Sequence, residues 1–122
     1  MLQKQASQKN IDLVVAKGAR IAIVRTSYYP EMLDNLEKYC IRTLEQYGVK
    51  KNNITIYTAP GSWEIPLLAQ AAARSKKFDA IVTLGIIVKG QTHHFDMIAN
   101  ECARALMNIS QAYNIPVALE IL

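Results

Sequence analysis

The run Leu84-Gly85-Ile86-Ile87-Val88-Lys89-Gly90-Gln91-Thr92-His93-His94-Phe95-Asp96 leaves an apolar, strand-like segment, crosses a glycine-containing loop and opens a helix. Gly90 lets a backbone or a ligand approach closely, Thr92 is a residue type that caps helices, and the uncovered amides of a first helical turn suit an anion such as phosphate. An imidazole at that place can exchange protons near neutral pH, and the positive end of a helix disfavours its protonated form, so His94 is the candidate general acid/base. The bland alternative is a solvated histidine at a helix start. His93 points about 100° away around the helix and carries no assignment.

A second stretch, Pro60-Gly61-Ser62-Trp63-Glu64-Ile65-Pro66, sets an aromatic and a carboxylate at a helix start after a glycine turn. Glu64 complements the helix dipole whatever else it does, and in a functional role it would accept hydrogen bonds from a polyhydroxy chain. Trp63, read from its type alone, belongs to the core or an interface. Tyr28 and Tyr29 fall on a loop after an apolar strand, where an aromatic face can stack on a heterocycle.

These residues need a frame, and the hydrophobic periodicity supplies one. Residues 19–25 and 53–58 read as strands. The segment after Pro30 carries Leu33, Leu36, Cys40, Leu44 and Tyr47 at helical spacing and is closed by Gly48. Residues 63–75 read as a helix that tolerates Pro66 in its first turn, and residues 79–87 as a third strand. Residues 96–113 form a helix with Ile98, Cys102, Ala105, Ile109 and Ala112 on one face, and residues 116–122 begin a fourth strand. The βαβαβαβ order predicts an α/β fold: a parallel sheet of about four strands in a three-layer αβα sandwich, flavodoxin-like in topology. Ligands of such sheets bind at the carboxyl ends of the strands, where the loops 26–30, 59–64 and 86–94 converge.

Composition narrows the function classes. The chain has 122 residues, 51% of them hydrophobic and 20% charged, which is enough for one domain with a core and too apolar for a disordered tail. A net charge of +4 comes from scattered Lys and Arg, with no stripe to follow a nucleic acid, so no nucleic-acid partner is expected. No apolar run reaches membrane-spanning length and residues 1–7 lack the apolar core of a secretory signal, so a cytoplasmic protein without a membrane partner is expected. Cys40 and Cys102 fall on apolar helix faces and read as buried reduced thiols. There is no Walker loop, no Gly-x-Gly-x-x-Gly after the first strand, no acidic cluster at the strand ends and no Gly-x-Ser-x-Gly elbow. No metal site is predicted.

Together, the motif from Pro60 to Pro66, the run from Leu84 to Asp96, Asn100-Glu101 and the strand Ile21-Ala22-Ile23-Val24 resemble the 6,7-dimethyl-8-ribityllumazine synthase family, over residues 19–122. The resemblance implies a cofactor-free transferase that condenses 5-amino-6-ribitylaminouracil with 3,4-dihydroxy-2-butanone 4-phosphate in riboflavin synthesis. By position, it makes Tyr28 the aromatic that stacks on the pyrimidine. Ser62, Trp63 and Glu64 match the stretch that holds the ring and ribityl chain, while Ile87 and Val88 offer backbone contacts to the heterocycle. Gly90, Gln91 and Thr92 match the phosphate loop, and His94 matches the proton-transfer histidine. Leu119 stands where the family often has an aromatic that reaches the substrate from the adjacent subunit, in a pentamer or a multiple of pentamers. The family usually has asparagine at the position of Tyr29, and its phosphate-pocket arginine and lysine lie past Leu122. The expected organisation is a single domain with an N-terminal arm to about residue 18 and without the family's C-terminal helical segment. The alternative is a weakly active or inactive lumazine- or flavin-binding shell subunit of the same fold, and a flavodoxin-like carrier ranks below it.

Overall fold

A computed structural model describes residues 17–88 and 94–121. Four strands lie parallel in the order β2-β1-β3-β4: β1 (Ile21–Thr26), β2 (Ile54–Ala59), β3 (Ala80–Gly85) and β4 (Val117–Ile121). Three helices connect them: α1 (Pro30–Gln46), α2 (Ile65–Ser75) and α3 (His94–Tyr113). The predicted parallel α/β sandwich is the fold observed.

Alternation within the central strand builds both cores. Ile21 and Ile23 point to one face, where they pack with Leu33, Leu36, Cys40 and Leu44 of α1 and with Leu84 of β3. Ala22 and Val24 point to the other, against Ile65, Ala69 and Ala72 of α2 and Leu106 and Ile109 of α3. Because both faces are covered, all six residues of β1 are buried, and the four from Ile21 to Val24 read as one apolar run. Ala69, Ala72 and Ala73 let α2 lie close on the sheet. The end of α1 is set by Gly48, whose φ of 99° suits glycine; its N–H donates to the Glu45 carbonyl and that of Val49 to the Leu44 carbonyl.

Several sequence expectations shift by a residue or a face. β3 ends at Gly85 rather than at residue 87, because its neighbours run out: Leu84 pairs with Arg25 and Gly85 with Ile121, near the ends of β1 and β4. Tyr47 caps α1 and is exposed instead of joining its apolar stripe. On α3 the buried stripe is Cys102, Leu106 and Ile109, following the i, i+4, i+7 drift of a real helix, with Ala112 exposed. Cys102 is buried but Cys40 only half-buried, and both are free thiols. Among the described residues no helix is long and apolar enough to cross a membrane. The predicted N-terminal arm up to residue 16, the loop residues Lys89, Gly90, Gln91, Thr92 and His93, and Leu122 lie outside the described residues.

Candidate active site

The carboxyl ends of β1, β2 and β3 open onto a cavity of about 580 Å³. Three loops and one helix contribute its walls. Tyr28 and Tyr29 come from the loop after β1, Gly61, Ser62, Trp63 and Glu64 from the loop after β2, Ile86, Ile87 and Val88 from the loop after β3, and His94, Met97 and Ile98 from the first turns of α3. The size suits a small organic ligand, and the lining is apolar with a few polar groups, as in ligand pockets generally.

On the first wall, Tyr28 and Tyr29 stand edge to face with ring centroids 5.4 Å apart, Tyr28 being 62% exposed. Tyr29 has φ 50°, a left-handed conformation that costs a non-glycine residue about 1 kcal/mol. It lies between the strand and Pro30, which disfavours right-handed helical backbone in the residue before it. The loop is tied at both ends: the Ser27 N–H donates to the Ala59 carbonyl at 2.9 Å, and the Tyr29 carbonyl accepts from the Leu33 N–H at 3.0 Å. At the end of β1, Thr26 is fully buried and its hydroxyl finds no partner among the described residues.

The second wall is a single 3-10 turn, Ser62–Glu64, closed by the Glu64 N–H donating to the Gly61 carbonyl. It rests on β3 at Gly85, where a Cβ would lie 3.2 Å from Ser62 Oγ and 3.2 Å from Ile65 Cδ1, so any larger residue would press both side chains outward by a few tenths of an ångström. The Cys102 thiol donates to the Ser62 carbonyl from α3 at 3.1 Å. Burial, then the nearby Glu64 and Glu101 carboxylates, push that thiol above its ordinary pKa and keep it a protonated donor. Glu64 makes no side-chain cap on α2; it is half-buried and lines the cavity. Trp63 is 56% exposed at the rim, contrary to the core reading, because Ile65 occupies the buried position below the turn.

Of the predicted site residues, Tyr28, Ser62, Trp63, Glu64, Ile87, Val88 and His94 line one cavity. Leu119 does not line it; it is an exposed residue of edge strand β4. Met97 escaped the sequence reading, and Ile98 was assigned to the core face of its helix. Both follow His94 by three and four residues, so helical spacing alone puts them on the face that the histidine uses. Among the described residues no three His, Cys, Asp or Glu side chains are grouped to hold a metal ion.

An open parallel sheet with a largely apolar pocket at the carboxyl ends of its strands, walled by aromatic residues and holding a helix-start histidine, is the architecture of α/β proteins that bind small molecules there. A sequence profile described as 6,7-dimethyl-8-ribityllumazine synthase matches residues 18–122. Curated relatives of that name include one from Neisseria gonorrhoeae, 40% identical over 87% of this chain and 67% of its own length. Another from Neisseria meningitidis is 39% identical over 87% and 67%, and one from Ruthia magnifica is 41% identical over 85% and 65%. The chain thus spans about two thirds of the length of the relatives it matches. It belongs to the 6,7-dimethyl-8-ribityllumazine synthase family, transferases of riboflavin biosynthesis.

Proposed function

We propose that this cavity condenses 5-amino-6-ribitylaminouracil with 3,4-dihydroxy-2-butanone 4-phosphate to 6,7-dimethyl-8-ribityllumazine, phosphate and water. The observation that carries the proposal is the meeting of an aromatic ring, a carboxylate and a helix-start imidazole, each from a different segment, around one cavity. In this reading the Tyr28 ring stacks on the pyrimidine, the Ser62–Glu64 turn holds the ring edge and the ribityl hydroxyls, and the backbone of Ile87 and Val88 meets the heterocycle. Gly90, Gln91 and Thr92 receive the phosphate.

The chemistry is a sequence of proton-coupled steps. The 5-amino nitrogen adds to the ketone carbon and the ketone oxygen leaves as water. The C–O bond to phosphate then breaks, the resulting enol becomes a second carbonyl, and the ribitylamino nitrogen closes the ring on it with loss of another water. Every step is an addition, an elimination or a dehydration, so the stoichiometry calls for no external oxidant or reductant. His94 carries protons between the nitrogen, the departing oxygens and the phosphate. We assign the enzyme to the cytoplasm and to a homopentamer or a multiple of pentamers. Its heterologous contacts bring Leu119 of one subunit towards the cavity of the next.

Mixing the protein with both substrates and following lumazine fluorescence tests the activity. His94→Ala is expected to slow product formation by about 10²- to 10⁴-fold with little change in Tm, because the side chain is exposed. An unchanged rate removes His94 from the mechanism.

A further inference from the structure

Arg25 is a charged residue at the end of the central strand, and its side chain is only 9% exposed. A guanidinium withdrawn from water this far needs partners for its charge and its donors. Its Nη1 donates to both Asp34 Oδ1 at 2.6 Å and Glu37 Oε1 at 3.1 Å, in the first two turns of α1, and its Nε donates to the Thr26 carbonyl at 3.1 Å. Burial opposes the charge, but the hydrogen bonds and the attraction of the two carboxylates outweigh it, and the pKa lies above the ordinary arginine value. The side chain points to the α1 face of the sheet, while the cavity opens at the strand ends, and Arg25 lines no part of it.

What Arg25 does reach are the two ends of one short loop. The Thr26 carbonyl is the last of β1, and Asp34 and Glu37 follow the start of α1. Between the end of β1 and the first residue of α1 lie only Ser27, Tyr28 and Tyr29, the last held at positive φ. One planar fork therefore fixes the separation and angle of the strand end and the helix start, and with them the placing of the Tyr28 ring. A lysine, with one nitrogen and no fork, cannot serve the carbonyl and both carboxylates in the same geometry.

We propose that Arg25 is a positioning residue for the heterocyclic substrate, acting through the loop that carries Tyr28. The proposal rests on the reading that Tyr28 stacks on the aminopyrimidine. It requires that loss of the fork weakens the heterocycle selectively, since the phosphorylated ketone is assigned to the loop after β3.

The test is direct binding of 5-amino-6-ribitylaminouracil and of the lumazine product by fluorescence titration. Steady-state KM values for both substrates accompany it, in wild type and in the Tyr28→Ala, Arg25→Lys and Arg25→Met variants. Arg25→Met is expected to weaken the heterocycle about tenfold, the scale of one aromatic stacking contact, with the KM of the phosphorylated ketone within about twofold, and Arg25→Lys to recover part of the loss. Heterocycle affinities within about twofold of wild type in both Arg25 variants, or equal weakening of both substrates, would overturn it. If Arg25→Met does not fold, Arg25→Lys and the double variant Asp34→Asn with Glu37→Gln decide in the same way. A Tyr28→Ala protein that binds the heterocycle as wild type does defeats the reading of the pocket itself. A weakened Tyr28→Ala beside unaffected Arg25 variants defeats this inference alone.

Discussion

The two walls of the cavity are built by opposite means. The Tyr28 wall is a strained loop held by charge: Arg25 reaches Asp34 and Glu37, and Asp34 is 69% exposed, so solvent and salt share in that pairing. The Ser62 wall is a turn held by close packing on Gly85 and by the buried thiol of Cys102. The charged fork responds to salt and to loss of a carboxylate. A packed contact responds to volume instead, since a methyl group added at Gly85 must push Ser62 and Ile65 aside. The heterocycle is thus proposed to bind between one wall held by charge and one held by packing.

The sharpest way to break the contrast is at the packed wall. Gly85→Val is expected to destabilise the protein by about 1–3 kcal/mol, as over-packing does. Displacement of Ser62 should also lower kcat/KM by up to about a hundredfold, the cost of misplacing a substrate by an ångström. Thermal unfolding and lumazine formation measure the two effects, and a variant of normal activity would show that the turn does not depend on that close contact. Cys102→Ala probes the same wall more gently. Loss of the bond to the Ser62 carbonyl should raise the aminopyrimidine KM about threefold, with most of the effect restored by Cys102→Ser, which keeps a donor. An alanine and a serine variant with identical kinetics would reduce the contact to packing.

The opposite end of the sheet gives the smallest effect. There the Asp79 carboxylate accepts the Arg20 N–H at 2.8 Å and lies beside the Arg20 guanidinium, which together hold its pKa below the usual carboxylate value. A depressed folded-state pKa contributes stability that is complete above the unfolded value of about 4 and is lost as pH falls through the lower, folded one. Asp79→Asn should flatten the acid limb of the stability curve and cost less than about 1 kcal/mol at neutral pH, because the pair is half exposed. Denaturant titrations at pH 3 and pH 7 compare the limbs, and parallel curves for variant and wild type would remove Asp79 from the linkage.

Much of this was legible because it follows from periodicity and residue type. The β-branched run at Ile21, Ile23 and Val24, the punctuation at Gly48 and Pro60-Gly61, and the histidine after a glycine loop signalled the strands, the turns and the pocket end of the sheet. What escaped depends on contacts between distant segments. Nothing local in Arg25 says that its partners stand nine and twelve residues later on one helix face. Gly85 reads as a strand-end glycine until Ser62 is placed against it, and Cys102 reads as core until its donor is seen to face a carbonyl. The exposed rim position of Trp63 was missed for the same reason, since aromatic type predicts burial while a 3-10 turn decides direction.

The strand order carries a consequence for how the protein folds. β1 pairs with β2 and with β3, and β3 with β4, so each ladder joins segments about 30 to 60 residues apart and none is a hairpin. Parallel pairing of this kind defers its reward until long loops have closed, which slows the search for the native topology. The two walls differ in this: Arg25 meets partners nine and twelve residues away, whereas the Ser62 turn finds Gly85 only after β3 has taken its place beside β1. The complete pocket therefore requires the long-range pairing of β3 with β1. Trp63, the chain's single tryptophan, sits at the pocket rim and should report the same transition as the helices in far-ultraviolet circular dichroism.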